Sequence, residues 1–252
     1  MSTKNFTNRY IFIYITLLVL LVAILLSLAA IFLQPKQQAN HEIEKMQQIL
    51  KAAGYSHIPK EEVQAQFQQV VEECSIDAKR KIVSRYQNGK FILGTVRPFD
   101  INLTTELYKA TKGEKDYQLP FYIIHINNND SCFVIPLSGK GLWGPIWGYM
   151  AIGHDCNTVK GCVFAHKGET PGLGAEISTD HFASTFNGKL LYDTNGNFVS
   201  VKVVKGGVMN SKVASEHGVD AITGGTITSK GVEEMISHCL SFYLPTQQIA
   251  HH

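Results

Sequence analysis

Charged side chains are scarce in this 252-residue chain: Asp, Glu, Lys and Arg make up 17% of it and balance at +2. So small a net charge excludes the broad basic field with which proteins hold nucleic acid. No Gly-x-Gly-x-x-Gly joins a strand-like run to a helix-like one, so a Rossmann-type dinucleotide site is not expected. No Cys-x-x-Cys-x-x-Cys series exists to ligate an iron–sulfur cluster. The five cysteines, Cys74, Cys132, Cys156, Cys162 and Cys239, are an odd number, so at least one thiol stays unpaired. Cys156 and Cys162 can pair in an oxidising compartment, but buried free thiols are the expectation for a chain with this much apolar sequence. His154, Cys156, Cys162 and His166 are four potential zinc ligands whose order and spacing match no common structural zinc site. The terminal His251 and His252 are too few to make a metal-binding tail. There is no internal repeat or low-complexity tract, and the length suits one large domain or two small ones.

What the chain does have is one long apolar run. Residues 10–33 contain no charge, and their only small polar residues are Thr16 and Ser27. As a helix they would reach about 36 Å, enough to cross a ~30 Å hydrocarbon core with tilt. The run exceeds the apolar core of a cleaved signal peptide and continues past Ala29 and Ala30, its best cleavage site, so it reads as a retained anchor. It holds no ionisable residue and hence no ion site of its own. Lys4 and Arg9 precede it without an acid, whereas Lys36 beyond it is soon joined by Glu42 and Glu44. That asymmetry puts residues 1–9 in the cytoplasm, 10–33 in the bilayer and 34–252 outside the cytoplasm.

Residues 34–40 read as a polar breaker. Ile43, Met46, Ile49, Leu50 and Ala53 then recur at helical spacing up to Gly54. A second helix is expected from about Pro59, with Val63, Phe67, Val70, Val71 and Cys74 on one face. Short β-rich runs follow at 81–86, 91–96, 121–126, 132–137, 146–152, 160–165, 189–192 and 198–205, punctuated by Gly, Asn, Asp and Pro. Phe182 and Phe186 fit a short helix begun near Thr179 or Asp180, and a last helix is expected over 229–242. The class is α+β: one transmembrane helix, then a single domain with a mostly antiparallel sheet.

The most informative stretch runs from Asp220 to Val232. It sets Thr223, Thr226, Thr228 and Ser229 around the adjacent Gly224 and Gly225, just ahead of the last helix. Glycines allow positive φ and close approach. A helix N-terminus offers unpaired N–H groups and a positive dipole end, which suit a phosphate. Hydroxyls can hydrogen-bond that phosphate or be esterified by it. A plain Thr/Gly helix cap would use the same residue types.

Read as Asp-x-x-Thr-Gly-Gly-Thr, the stretch resembles the Asp-x-x-(Ser/Thr)-Gly-Ala-Thr target of flavin transferases, with Gly225 where the target usually has Ala. Two further segments, Gly141-Leu142-Trp143-Gly144-Pro145-Ile146-Trp147-Gly148 and Gly168-Glu169-Thr170-Pro171-Gly172-Leu173-Gly174, look like loops of the NqrC family, the C subunits of Na+-translocating NADH:quinone oxidoreductase. The three motifs, in this order behind one anchor, resemble that family over essentially the whole chain. The related G subunit of ferredoxin-linked electron pumps shares the flavin motif and anchor but usually lacks the Leu-Trp-Gly-x-x-aromatic-Gly form.

The resemblance implies a domain that carries FMN as a phosphoester on Thr226. Thr223, Gly224, Gly225, Thr228 and Ser229 would sit around the phosphate, and Asp220 would serve transferase recognition or simply cap a turn. Leu142, Trp143, Glu169, Thr170, Pro171, Gly172, Leu173 and Gly174 would line the ring, with Trp147 as readily a core residue or subunit contact as a flavin contact. The cofactor would carry electrons with no NADH site or catalytic residue in this chain. The partners implied are the other subunits of the complex, the flavin transferase and the bilayer of a bacterial inner membrane, with the domain periplasmic and Na+ export coupled by neighbouring subunits. Two other readings fit the residues: a G subunit of the ferredoxin-linked kind, and an anchored non-redox module whose Thr/Gly loop holds a free phosphate ligand.

Overall fold

The computed structural model describes residues 7–127 and 130–246; Lys4, used above for orientation, and the His251–His252 pair lie outside them. The chain divides between Lys45 and Met46. The uncharged apolar run becomes part of α1, Asn8–Ala52. This helix is long and apolar enough to cross a membrane: its most apolar window has a mean hydropathy of 3.1, and none of that window is buried within the protein. The expected break at 34–40 does not occur, and Pro35 lies inside the helix. A proline removes one backbone hydrogen bond and costs about 3 kcal/mol, but the Gln, Lys and Ala residues around it are good helix formers that carry the helix through. It stops where expected, at Gly54 with φ +94°, where Tyr55 N–H donates to the Leu50 carbonyl at 3.0 Å. Its last turns bury Met46, Ile49, Leu50 and Ala52.

From there the chain builds a seven-stranded sheet: β1 (Val71–Ile76), β2 (Ile82–Gln87), β3 (Lys90–Leu93), β4 (Leu119–Asn127), β5 (Asp130–Lys140), β6 (Pro145–Gly153) and β7 (Val159–His166). The spatial order is β3-β2-β1-β4-β5-β6-β7, and every neighbouring pair is antiparallel. A small parallel pair, β8 (Lys202–Val204) and β9 (Gly218–Asp220), stands apart. The remaining α-helices are α2 (Val63–Val70), α3 (Leu103–Thr111), α4 (Asp180–Ser184) and α5 (Thr226–Tyr243). Gly139, Gly141 and Gly144 do have Gly-x-Gly-x-x-Gly spacing, but they lie at the turn between β5 and β6, a hairpin with no helix N-terminus.

Three further sequence expectations change. The second helix ends at Val70, and Val71 and Cys74 belong to β1, in which every residue is buried. A strand covered on both faces has no alternation to reveal it. The two charges inside it are met by arginines: Glu72 pairs with Arg85 at 2.6 Å, and Glu73 receives Arg97 Nε at 3.1 and 3.0 Å, Arg97 Nη2 at 2.6 Å and the Phe99 N–H at 3.2 Å. Helix α3 is an addition to the expected elements; Asn102 caps it by accepting the Thr105 N–H at 3.2 Å. The run at 189–192 forms only isolated bridges, Thr158 with Leu190 and Tyr192 with Phe198, and the run at 198–205 keeps only β8.

Helix α5 lies on the sheet with almost nothing between them. A Cβ on Gly231 would collide with the Lys140 carbonyl oxygen, and one on Gly139 would come within 2.7 Å of Met235 Cβ. Val232, Met235, Ile236, Cys239 and Leu240 are buried in the same core as Ile135, Leu137 and Ile146. The C-terminal end of α5 has no basic residue in its last turn. Arg80 caps it from outside, donating to the carbonyls of Phe242, Ser241 and Leu244 at 3.0, 3.0 and 2.9 Å, which satisfies last-turn oxygens and complements the dipole.

All five cysteines are free, and four are buried. Burial pushes the Cys74 and Cys239 thiols up to about 12 and moves Cys162 higher still. Burial raises the Cys156 thiol as well, but it alone is half-exposed and so within reach of a reagent. Iodoacetamide at pH 8 is therefore expected to label Cys156 alone in the native protein and all five after denaturation, read by peptide mass spectrometry. Native labelling of Cys162 or Cys239 would contradict this packing.

Candidate functional site

The start of α5 is made by the glycine pair. Gly224 has φ +76°, and a Cβ there would lie 2.5 Å from Leu173 Cδ2. Gly225 is the N-cap and supplies no side-chain cap. Its N–H donates to the Ile222 carbonyl at 3.0 Å, and its carbonyl receives the Ser229 N–H at 2.9 Å. A Cβ on Gly225 would stand 3.1 Å from Ile222 Cγ2 and 3.2 Å from the Leu173 carbonyl, a tight fit that glycine relieves. Thr226 is thus the first residue of an 18-residue helix with no acid in its first turn. It is exposed, as is Thr223. The first-turn N–H groups of Thr226, Ile227 and Thr228 have no intrahelical acceptor and lie at the positive end of the dipole.

Thr228 and Ser229 differ from the expectation that their hydroxyls face a ligand. Each is 1% exposed. Thr228 Oγ1 donates to Glu169 Oε2 at 2.6 Å, and Ser229 Oγ accepts the Ile222 N–H at 3.1 Å. Both hydroxyls hold the turn together from within. Asp220, the last residue of β9, is exposed, and its Oδ1 accepts the Val208 N–H at 2.7 Å. It therefore caps the turn after β8, one of the two roles its position allowed.

The other two motifs converge on this helix start. In the β5–β6 turn, Gly141 N–H donates to the Gly144 carbonyl at 2.8 Å, leaving Leu142 and Trp143 47% and 69% exposed. After β7, Leu173 N–H and Ala175 N–H both donate to the Thr170 carbonyl at 3.1 Å. Gly172, with φ +73°, donates its N–H to Glu176 Oε1 at 3.1 Å. Thr170, Pro171, Gly172 and Leu173 are exposed, whereas Glu169 and Gly174 are buried. Trp147 is half-buried within β6, opposite Ser138 and Ala165.

Two features escape sequence reasoning. Ile227, next to Thr226, is 61% exposed; its only signal is an apolar residue between two threonines. A cleft of about 620 Å³ opens beside the loop, with Asp220, Ala221, Ile222, Phe182, Lys189 and Met209 in its lining. The zinc alternative gathers no site: Cys162 Sγ donates to the Ala183 carbonyl at 3.2 Å and His166 Nδ1 accepts the Glu169 N–H at 3.2 Å. Among the described residues, no group of three or more His, Cys, Asp or Glu could hold a metal ion.

The donor set suits a flavin nucleotide. An exposed hydroxyl and free N–H groups at a helix start match a phosphate. Exposed Leu142, Trp143, Leu173 and Ile227 on the neighbouring segments offer apolar surface to the planar ring of such a nucleotide.

Residues 141–241 match the FMN-binding domain family. The chain is 31% identical over 255 residues to the C subunit of Na(+)-translocating NADH-quinone reductase from Vibrio anguillarum, covering 97% of this chain and 93% of that protein. It is 33% identical over 236 residues to the corresponding C subunit of Vibrio vulnificus, covering 89% and 86%. Among solved structures, the C subunit of the Parabacteroides distasonis reductase superposes with a TM-score of 0.67 at 35% identity over 84% of this chain and 94% of that one. NqrC of Shewanella oneidensis does so with 0.63 at 27% identity over 79% and 91%. With three motifs meeting at one helix start, and with relatives of this identity along nearly its full length, the chain belongs to the NqrC family, the C subunits of Na+-translocating NADH-quinone reductase.

Proposed function

We propose that the protein is the FMN-carrying member of a membrane NADH:quinone oxidoreductase, with the flavin held covalently by a phosphoester to Thr226 Oγ1. The observation that carries this reading is the placement of Thr226: an exposed hydroxyl at the first position of α5, ahead of N–H groups that lack intrahelical acceptors. FMN, when bound, supplies the redox chemistry, and the protein supplies its position and electrostatic surroundings. Thr223 stands beside the ester as a second exposed hydroxyl. Leu142, Trp143, Leu173 and Ile227 offer the apolar seat, and the Thr170–Gly172 backbone borders it.

The proposed setting rests on the charge asymmetry of the sequence together with membership of the NqrC family. Residues 1–9 are cytoplasmic, 10–33 cross the inner membrane once, and 34–252 lie in the periplasm. Electrons reach and leave the flavin through other subunits, NADH is oxidised on one of them, and Na+ export is coupled by membrane neighbours. A flavin transferase that reads Asp220 to Thr226 installs the cofactor. Intact-mass and peptide mass spectrometry of the chain, made together with that transferase, is expected to show the mass of FMN less one water on the peptide containing Thr226. An unmodified Thr226 peptide under those conditions sinks the reading.

A further inference from the structure

Glu169 is only 4% exposed, yet it belongs to one of the three segments that meet at the flavin seat and bonds to the other two. Its Oε1 accepts the Trp143 N–H at 2.9 Å and its Oε2 accepts the Thr228 hydroxyl at 2.6 Å. Its own N–H donates to His166 Nδ1 at 3.2 Å. Two glycines make room for the carboxyl group. A Cβ on Gly141 would collide with Oε1, and one on Gly174 would lie 2.5 Å from both Oε2 and Thr228 Oγ1. Among the described residues no lysine, arginine or histidine forms an ion pair with it. The seat is thus built around a desolvated acid whose two oxygens both accept, one from the backbone that aims Trp143 and one from the residue two places after Thr226.

Resting on the flavin reading above, we propose that Glu169 is a positioning residue with two effects. Its carboxylate locks the Trp143 backbone to the start of α5, and it places a buried negative charge at the seat that makes the flavin harder to reduce. It is not itself a ring contact: the group is enclosed, while Trp143 and Leu173 are the exposed surfaces. The charge acts over distance because its surroundings are poor in water, where charge interactions are screened far less than in solvent. Adding electrons beside a fixed negative charge is disfavoured, so neutralising Glu169 raises the reduction potential.

Two variants of the full-length chain separate the effects. In Glu169→Gln the amide oxygen still accepts from Trp143 N–H and the amide nitrogen donates to Thr228 Oγ1, so the lock persists while the charge is gone. In Glu169→Ala both are lost. Hydrogen exchange of the 140–145 segment, measured on flavin-free protein, is expected to quicken about tenfold or more in Glu169→Ala, as losing a hydrogen bond to a charged group implies. In Glu169→Gln it should stay close to wild type. Redox titration of FMN-loaded protein is expected to give a more positive midpoint for Glu169→Gln than for wild type. Unchanged exchange in Glu169→Ala, or an unchanged midpoint in Glu169→Gln, overturns the proposal. If FMN never attaches even to wild type, the reading of Thr226 fails, and the exchange measurement still decides the lock.

Discussion

Thr226→Ala is expected to remove covalent flavin entirely. The hydroxyl is the only atom through which the phosphoester can form at that position, and the flanking candidates are not equivalent to it. Thr228 is enclosed and its proton is directed at Glu169. Ser229 is enclosed and its oxygen accepts from the Ile222 backbone. Thr223 and Thr170 are exposed hydroxyls of the same motifs, but Thr223 precedes the glycine pair and Thr170 lies on the loop after β7, so neither is at the helix start. In-gel fluorescence after denaturation should fall to background, and the mass increment should vanish from the peptide. Thermal stability should hardly move, because an exposed side chain without a described partner contributes within ~0.5 kcal/mol. Fluorescence that persists in the variant would move the attachment to another hydroxyl, Thr223 or Thr170, and end the assignment to Thr226.

The second large effect lies at the far side of the sheet. Arg97→Ala is expected to destabilise the domain by about 3–5 kcal/mol, the usual result of leaving a buried charge without its partner. Glu73 is 3% exposed and depends on Arg97 for most of its hydrogen bonds. The guanidinium also stacks 4.9 Å from the ring centres of Tyr86 and Phe99, so packing is lost with the charge. For a domain of this size the melting temperature should fall by roughly 6–20 °C.

The pH dependence has a definite sign. Burial pushes the Glu73 carboxyl up, while Arg97 pulls it down. Without Arg97 burial is opposed only by the Phe99 N–H, and the folded-state value rises further above the unfolded one. A group raised on folding loses stability as pH climbs, so the penalty of Arg97→Ala should shrink as pH falls toward the ordinary carboxylate range near ~4.3. A penalty that grows on acidification would show that Glu73 is not the group left unpaired.

The parts of this molecule legible in its sequence are those where local chemistry leaves one choice. The uncharged run at 10–33 reads as a helix that no soluble core needs. Gly224 and Gly225 ahead of an apolar period announce a helix start, and the structure begins α5 at Thr226, three residues before the expected Ser229. The strands of the β4–β7 meander announce themselves by β-branched residues between turns. What failed did so for physical reasons. Val63, Phe67, Val70, Val71 and Cys74 fit a helical face, but tertiary burial on both sides turns the second half of that run into the strand β1. The polar stretch at 34–40 resembles a linker because composition says nothing about a helix already nucleated upstream. Glu169 reads as one more residue of a glycine-rich loop, since nothing in a linear string shows that Gly141, Gly174 and Thr228 close around it.

The seat of α5 has a mechanical consequence. Where Gly231 meets the Lys140 carbonyl there is no cushion of side-chain atoms to yield, and Arg80 fastens the opposite end. A helix mounted in this way cannot rock by itself to carry its first residue from one place to another. If the redox group on Thr226 must travel between a donor and an acceptor, the unit that travels is the entire folded body, and the freedom to do so has to reside outside it.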